Sequence, residues 1–171
     1  MSSKRSLSVV TLTPTATADT TDLVDNTYHG FIQGGNGTQR VVVSEVVVTG
    51  QAPSTSSPCI MLFSRDSQVG TGAAGSGAGV TDAALDGSAT APATLALVGN
   101  TFATLKPRRS STLHLWNLSV NAFGGVFKYV PPAGGEATIV GNTASLGEAS
   151  LSAFTGGTPG LMGSHIIYEI L

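Results

Sequence analysis

The chain has 171 residues, 41% of them hydrophobic and 11% charged, with a formal net charge of −2 at pH 7. One domain of this length buries roughly 70% of the surface its unfolded chain exposes, so a core can form without staples. The charged share is under half the roughly 25% of ordinary soluble proteins, and a pI near 5.8 argues against nucleic-acid binders, which are basic along a face.

Lys4 and Arg5 open the first apolar run. It is too short and hydroxylated for a secretion leader, and Pro14 ends it; residues 1–14 therefore read as an N-terminal arm or edge strand. No run approaches the roughly 20 apolar residues of a membrane helix, so a soluble chain made in a reducing compartment is expected. Short runs rich in Val, Ile, Leu, Thr and aromatics, separated by Gly, Pro, Asn and Ser, predict strands near 6–13, 27–33, 40–49, 59–65, 95–105, 112–120, 126–130, 137–140, 146–153 and 164–171. Strands this short and frequent predict a single all-β sandwich or barrel domain over 1–171.

Between Arg40 and Val48 both pleat faces are apolar, which predicts a central strand covered on one side by a second sheet and on the other by a partner or loop. Cys59 sits in the apolar run Cys59 to Phe63 and reads as a small buried hydrophobe. Residues 68–94, with the small-residue run Gly70 to Gly79, read as a long flexible loop insertion. A short helix is expected from Val80 to Leu85, where Thr81 can cap and Asp82 sits in the first turn. The segment Asn121 to Gly125 is expected to fold 112–120 back onto 126–130 as a hairpin, and Pro131 to Gly135 ends the second strand.

Motifs for chemistry are weak. The Gly-rich run lacks the Gly-Lys-Ser/Thr ending of a phosphate loop. His29, His114 and His165 are too far apart to give two ligands from one strand or helix. Glu136, Glu148 and Glu169 read as single carboxylates on separate elements, not as a glycosidase pair. Asp19, Asp22 and Asp25 lack calcium-loop spacing, and Cys59 lacks the signature of an activated nucleophile. The sequons at Asn36 and Asn117 carry little weight without secretion. No enzyme, metal or cofactor is therefore expected, and an enzyme would require His114, His165 and a carboxylate to converge. The basic clusters, Lys4 and Arg5 and then Lys106, Arg108 and Arg109, are expected to dock on a partner through forked contacts with carboxylates; the plain alternative is a solvated loop before Thr112.

From Gly141 to Glu148, through Ser152 to Gly160 and on to Glu169, the C-terminal third resembles the end of small virion proteins of tailed bacteriophages. The opening Lys4 to Thr11 adds to that likeness, and in composition and strand count the whole chain is similar to jelly-roll decoration, or cement, proteins of phage heads. The resemblance implies a jelly-roll-like β-sandwich of about eight to ten strands. It also implies a homo-oligomer, a trimer, assembled in the host cytoplasm and bound to the major capsid protein on the virion surface, where avidity multiplies weak contacts. It carries over no individual residue. A tail, fibre or spike component that binds a host glycan is the competing expectation, though aromatics are only 6% of the chain.

Overall fold

The computed structural model describes residues 4–12, 28–51, 58–72, 74–75, 80–88, 97–99, 101–121, 123–155 and 161–171. Thirteen strands follow one another: β1 (Lys4–Leu12), β2 (Tyr28–Gln33), β3 (Arg40–Gly50), β4 (Pro58–Gln68), β5 (Ala74–Gly75), β6 (Val80–Ala84), β7 (Leu97–Gly99), β8 (Thr101–Phe102), β9 (Arg108–Asn121), β10 (Val126–Tyr129), β11 (Ala137–Val140), β12 (Glu148–Thr155) and β13 (Met162–Ile170). The described residues contain no helix.

Two antiparallel sheets form a β-sandwich around one core. The first runs β10-β3-β13-β1-β6, with β11 also on β3; the second runs β7-β2-β12-β4-β9; β5 and β8 make a small separate pair. Facing side chains from both sheets close the core, among them Leu7, Val46, Val48, Ile166 and Tyr168 from the first and Ile32, Met61, Phe63 and Leu151 from the second. In β13 the period of two is plain: Ile166, Tyr168 and Ile170 are buried, while His165, Ile167 and Glu169 between them are half-buried.

Strand β3 is central, as its apolar sequence predicts, but its two-faced appearance has a local cause. Glu45 pairs with Ile167 and Val43 with Tyr168, so Ser44 is an extra residue on the β3 side, and its hydroxyl donates to the Ile167 carbonyl. A one-residue bulge reverses which alternate side chains face inward. Val41 and Val43 before it and Val46 and Val48 after it therefore all reach the core. On the far edge of β3, β11 pairs with 40–43 and β10 with 46–49.

Three expectations are corrected. Residues 80–85 do not form a helix: Val80 to Ala84 is β6, paired antiparallel with β1 from Arg5↔Ala84 to Val9↔Val80. The pairing gives five residues a full ladder where a five-residue helix would have almost no internal bonds. Residues 112–120 and 126–130 do not form a hairpin either. β9 pairs with β4 and β10 with β3, so Asn121 to Gly125 crosses from one sheet to the other. Trp116 and Tyr129 meet as ring neighbours 5.0 Å apart at that crossing, which favours the arch over two coplanar strands. The 95–105 strand is two short ones, β7 and β8, in different sheets.

Strand β1, expected as an arm or edge, lies between β13 and β6. The segment 68–94, expected as a loop, contains β5 and β6; residues 76–79 and 89–94 lie outside the described residues, as do Asp19, Asp22 and Asp25.

Phe63 is fully buried and stacks on Trp116 with ring centroids 5.0 Å apart, whereas Ile60, three residues away, is 44% exposed. Phe63→Ala is expected to cost about 3–5 kcal/mol by chemical denaturation, and Ile60→Ala less than about 1 kcal/mol.

Candidate functional site

Sheets of this kind commonly bury one face and wet the other, but part of the second sheet, around Glu148, Ser150 and Asp66, is buried on both. Along β12, Ala149 and Leu151 enter the core while Glu148, Ser150 and Ser152 point the other way, and all five are buried. On β4 and β9 the same outer face carries Ser64, Asp66 and Arg109, each at 0% exposure. Over this face, near the start of the 69–107 segment, Gly70 lies against Phe102, and Phe102 stacks on Phe31 of β2 at 4.2 Å. A Cβ on Gly70 would overlap the Phe102 ring, so only glycine fits there.

A polar network fills this buried layer. Gln33 donates from Nε2 to Glu148 Oε2 at 2.7 Å and to the Gly70 carbonyl at 3.0 Å. The Gly70 N–H donates back to the Glu148 carboxyl at 3.2–3.3 Å. Ser150 donates to Asp66 Oδ1 at 2.6 Å, and the Ser145 N–H donates to the Asp66 backbone carbonyl at 2.8 Å. Arg109 is opposite Asp66 in the β4–β9 ladder, and its Nη1 lies 2.9 Å from His114 Nε2. A guanidinium can only donate, so in this contact Nε2 is the acceptor.

The Arg109–His114 contact depends on an irregular strand. Residues five apart in a regular strand face opposite ways. Here Ser64 pairs with His114 and Asp66 with Arg109, leaving 110–113 opposite Arg65 alone. Ser110 Oγ accepts the N–H groups of Thr112 and Leu113 and closes this bulge, which turns His114 back over Arg109.

Burial raises both carboxyls. Asp66 is pushed up to about 6 by burial, with hydrogen bonding to Glu148 and to the Ser150 hydroxyl, and then the Arg109 charge, opposing the rise. Glu148 is pushed up to about 10, first by burial and then by the neighbouring Asp66 charge. Asp66 Oδ2 receives no N–H, nor any Ser, Thr or Tyr hydroxyl, and the Glu148 carboxyl is the neighbour of the Asp66 carboxyl, Ala149 pairing with Arg65 beside them in the β12–β4 ladder. Both shifts favour a protonated acid in the pair, and one proton between the two acids leaves one negative charge to balance Arg109. A cluster without net charge is the cheapest state for ionisable groups removed from water.

The predicted docking cations divide. Lys4 and Arg108 are exposed, Lys106 is half-buried, and Arg109 is fully buried in the network. Arg5 forks onto Asp82 at 3.0–3.3 Å, and Tyr168 donates to the same carboxylate at 2.8 Å, fastening β6 to the first sheet. The Asp82 carboxylate raises Arg5, and burial raises Tyr168.

His114 and His165 do not meet: His165 lies on the first sheet, 3.4 Å from Glu45, and His114 on the second. Glu45 also bonds Lys128 at 2.8 Å, and the Lys128 ammonium lowers its carboxyl below the usual range. The His29 side chain is outside the described residues. Of the three glutamates singled out by sequence, Glu136 and Glu169 are half-buried, and only Glu148 joins another carboxyl. Among the described residues no group of three or more His, Cys, Asp or Glu is arranged to hold a metal ion, and no helix is long and apolar enough to cross a membrane. Comparison with protein families, with curated proteins and with solved structures finds no match.

Because the fold raises Glu148, the folded chain keeps a proton that the unfolded chain loses above the ordinary carboxylate range. Stability from this group is therefore complete in mild acid and falls as pH rises toward about 10. Wild type is expected to melt higher at mildly acidic than at alkaline pH. Glu148→Gln, which keeps an acceptor for Gln33 and Gly70 and a donor for Asp66, is expected to flatten that dependence in calorimetry. Arg109→Ala is expected to cost about 3–5 kcal/mol by stranding a buried anion, and Arg108→Ala under about 0.5 kcal/mol.

Cys59 is buried, donates to the Val120 carbonyl at 3.4 Å, and is raised to about 11 by burial. Its thiol is expected to resist maleimide in the folded protein and to react on unfolding.

Proposed function

We propose that this protein is a structural, non-catalytic virion component: a decoration or cement protein on the capsid surface that forms a homotrimer and binds the major capsid protein. The strand order carries this reading. β1, β13, β3 and β10 adjoin in one sheet and β2, β12, β4 and β9 in the other. The chain thus alternates between sheets on the way in, makes the 69–107 insertion, and alternates again on the way out. This order supports a jelly-roll, the double Greek key common among viral capsid and lectin domains.

The surface supports self-association. With 11% of residues charged, weak repulsion keeps copies apart, and large apolar side chains stand in water, Val126 at 72% and Phe123 at 50% exposure among them. The resemblance of the C-terminal third to small phage virion proteins points the same way.

Lectin domains use the same architecture, so glycan binding by a tail, fibre or spike component is the second reading, and Phe123, exposed in the β9–β10 connection, is the aromatic it would use. Trp116 is held between Phe63 and Tyr129.

Light scattering after size exclusion is expected to give three times the 17.2 kDa chain mass, and the protein is expected to co-sediment with capsids that lack it. A monomer that fails to bind those particles contradicts the proposal. A glycan-array signal abolished by Phe123→Ala would favour the second reading.

A further inference from the structure

We propose that the Asp66–Glu148 pair is a proton-held latch: one shared proton fastens the stem of the 69–107 segment to the outer face of the second sheet, and its loss releases that stem while the sandwich stays folded.

The geometry places the latch at the stem. Asp66 lies two residues before the end of β4, Gly70 two residues after it, and Arg109 stands at the segment's return on β9. Glu148 and Gln33, from β12 and β2, grip the Gly70 N–H and carbonyl respectively. Beyond Gly70, the stem is held by the Thr71↔Leu105 bridge, the Ala74↔Phe102 pair and the Phe102–Phe31 stack. The Thr104 and Leu105 N–H groups also donate to the Thr71 carbonyl, and these contacts lie outside the main core cluster, which does not include Phe31 or Phe102.

The groups around the pair decide the direction. From β9, Arg109 supplies one positive charge and His114 accepts a hydrogen bond from it. From β12, Ser150 donates to Asp66, and from β2, Gln33 donates to Glu148. On β4, Arg65 turns to the carbonyls of Leu146 and Thr138, away from the pair. At the stem, Lys106 is half-buried and Arg108 exposed. One guanidinium thus balances one carboxylate, and a second carboxylate has no counter-charge in a layer closed to water. The least costly relief is to let water reach Glu148, which means lifting Gly70 and its neighbours away.

Hydrogen exchange with short labelling pulses tests this, comparing wild type with Glu148→Gln at each pH so that intrinsic exchange cancels. If opening requires loss of a proton, the wild-type to variant rate ratio at the amides of Gly70, Thr71 and Phe102 to Leu105 rises about tenfold per pH unit above neutrality. Over the same range it stays flat at β3 and β13. Asp66→Asn, which also removes the second charge, is expected to behave as Glu148→Gln does. A ratio independent of pH at the stem overturns the latch, and so does an equal rise in β3 and β13, which is global unfolding. Failure of both variants to fold also overturns it, because each preserves the neutral state on which the closed latch rests.

Discussion

Where a sheet is covered on both faces its ionisable side chains lose water and must be answered within the protein, and in this chain that constraint falls on Glu148 of β12, Asp66 of β4 and Arg109 of β9. A buried donor or acceptor left unpaired costs about 1–3 kcal/mol, and more if it is charged. Two acids and a guanidinium are therefore bearable only as a neutral set. The shared proton, the buried Arg109 and the glycine at position 70 are three parts of one solution, since each permits the stem of the 69–107 segment, at Gly70 and Phe102, to lie down on the sheet.

The same constraint explains the division of labour between the sheets. The first is fixed mainly by apolar packing, with the Ser44 bulge turning four valines of β3 toward the core. Its charges sit at the margins, in the Arg5–Asp82 fork and the Glu45–Lys128 pair. The second has an apolar inner face and an outer face that is polar and closed where the 69–107 stem covers it. Other charges, among them Lys4, Arg40 and Arg108, are exposed, beside large apolar side chains such as Val126 and Phe123.

Much of the fold was legible in the sequence because alternation and turn residues report local geometry. Ala137 to Val140 was placed to the residue, and Arg40 to Thr49 was recognised as a central strand. What failed was pairing. Asn121 to Gly125 carries turn residues that serve an arch between sheets as well as a hairpin, and no local pattern separates the two. Val80 to Leu85 carries capping residues, but the unpaired edge of β1 lies some seventy residues away, and it decided the outcome. The candidate site was almost illegible. Glu148 looked solitary because its partner is 82 positions earlier, and Arg109 looked like a surface cation because the bulge that returns His114 to it has no sequence signature beyond Ser110.

The central physical claim is that Glu148 is a neutral carboxylic acid at pH 7, held so first by burial and then by the Asp66 charge, which Arg109 balances. Carbon-13 NMR of the glutamate side-chain carboxyls, with Glu148 assigned by its Gln variant, tests it most directly. The account requires the Glu148 signal to keep the chemical shift of a protonated acid through neutrality and to move only near pH about 10. A signal already at the ionised position at pH 7 would contradict it.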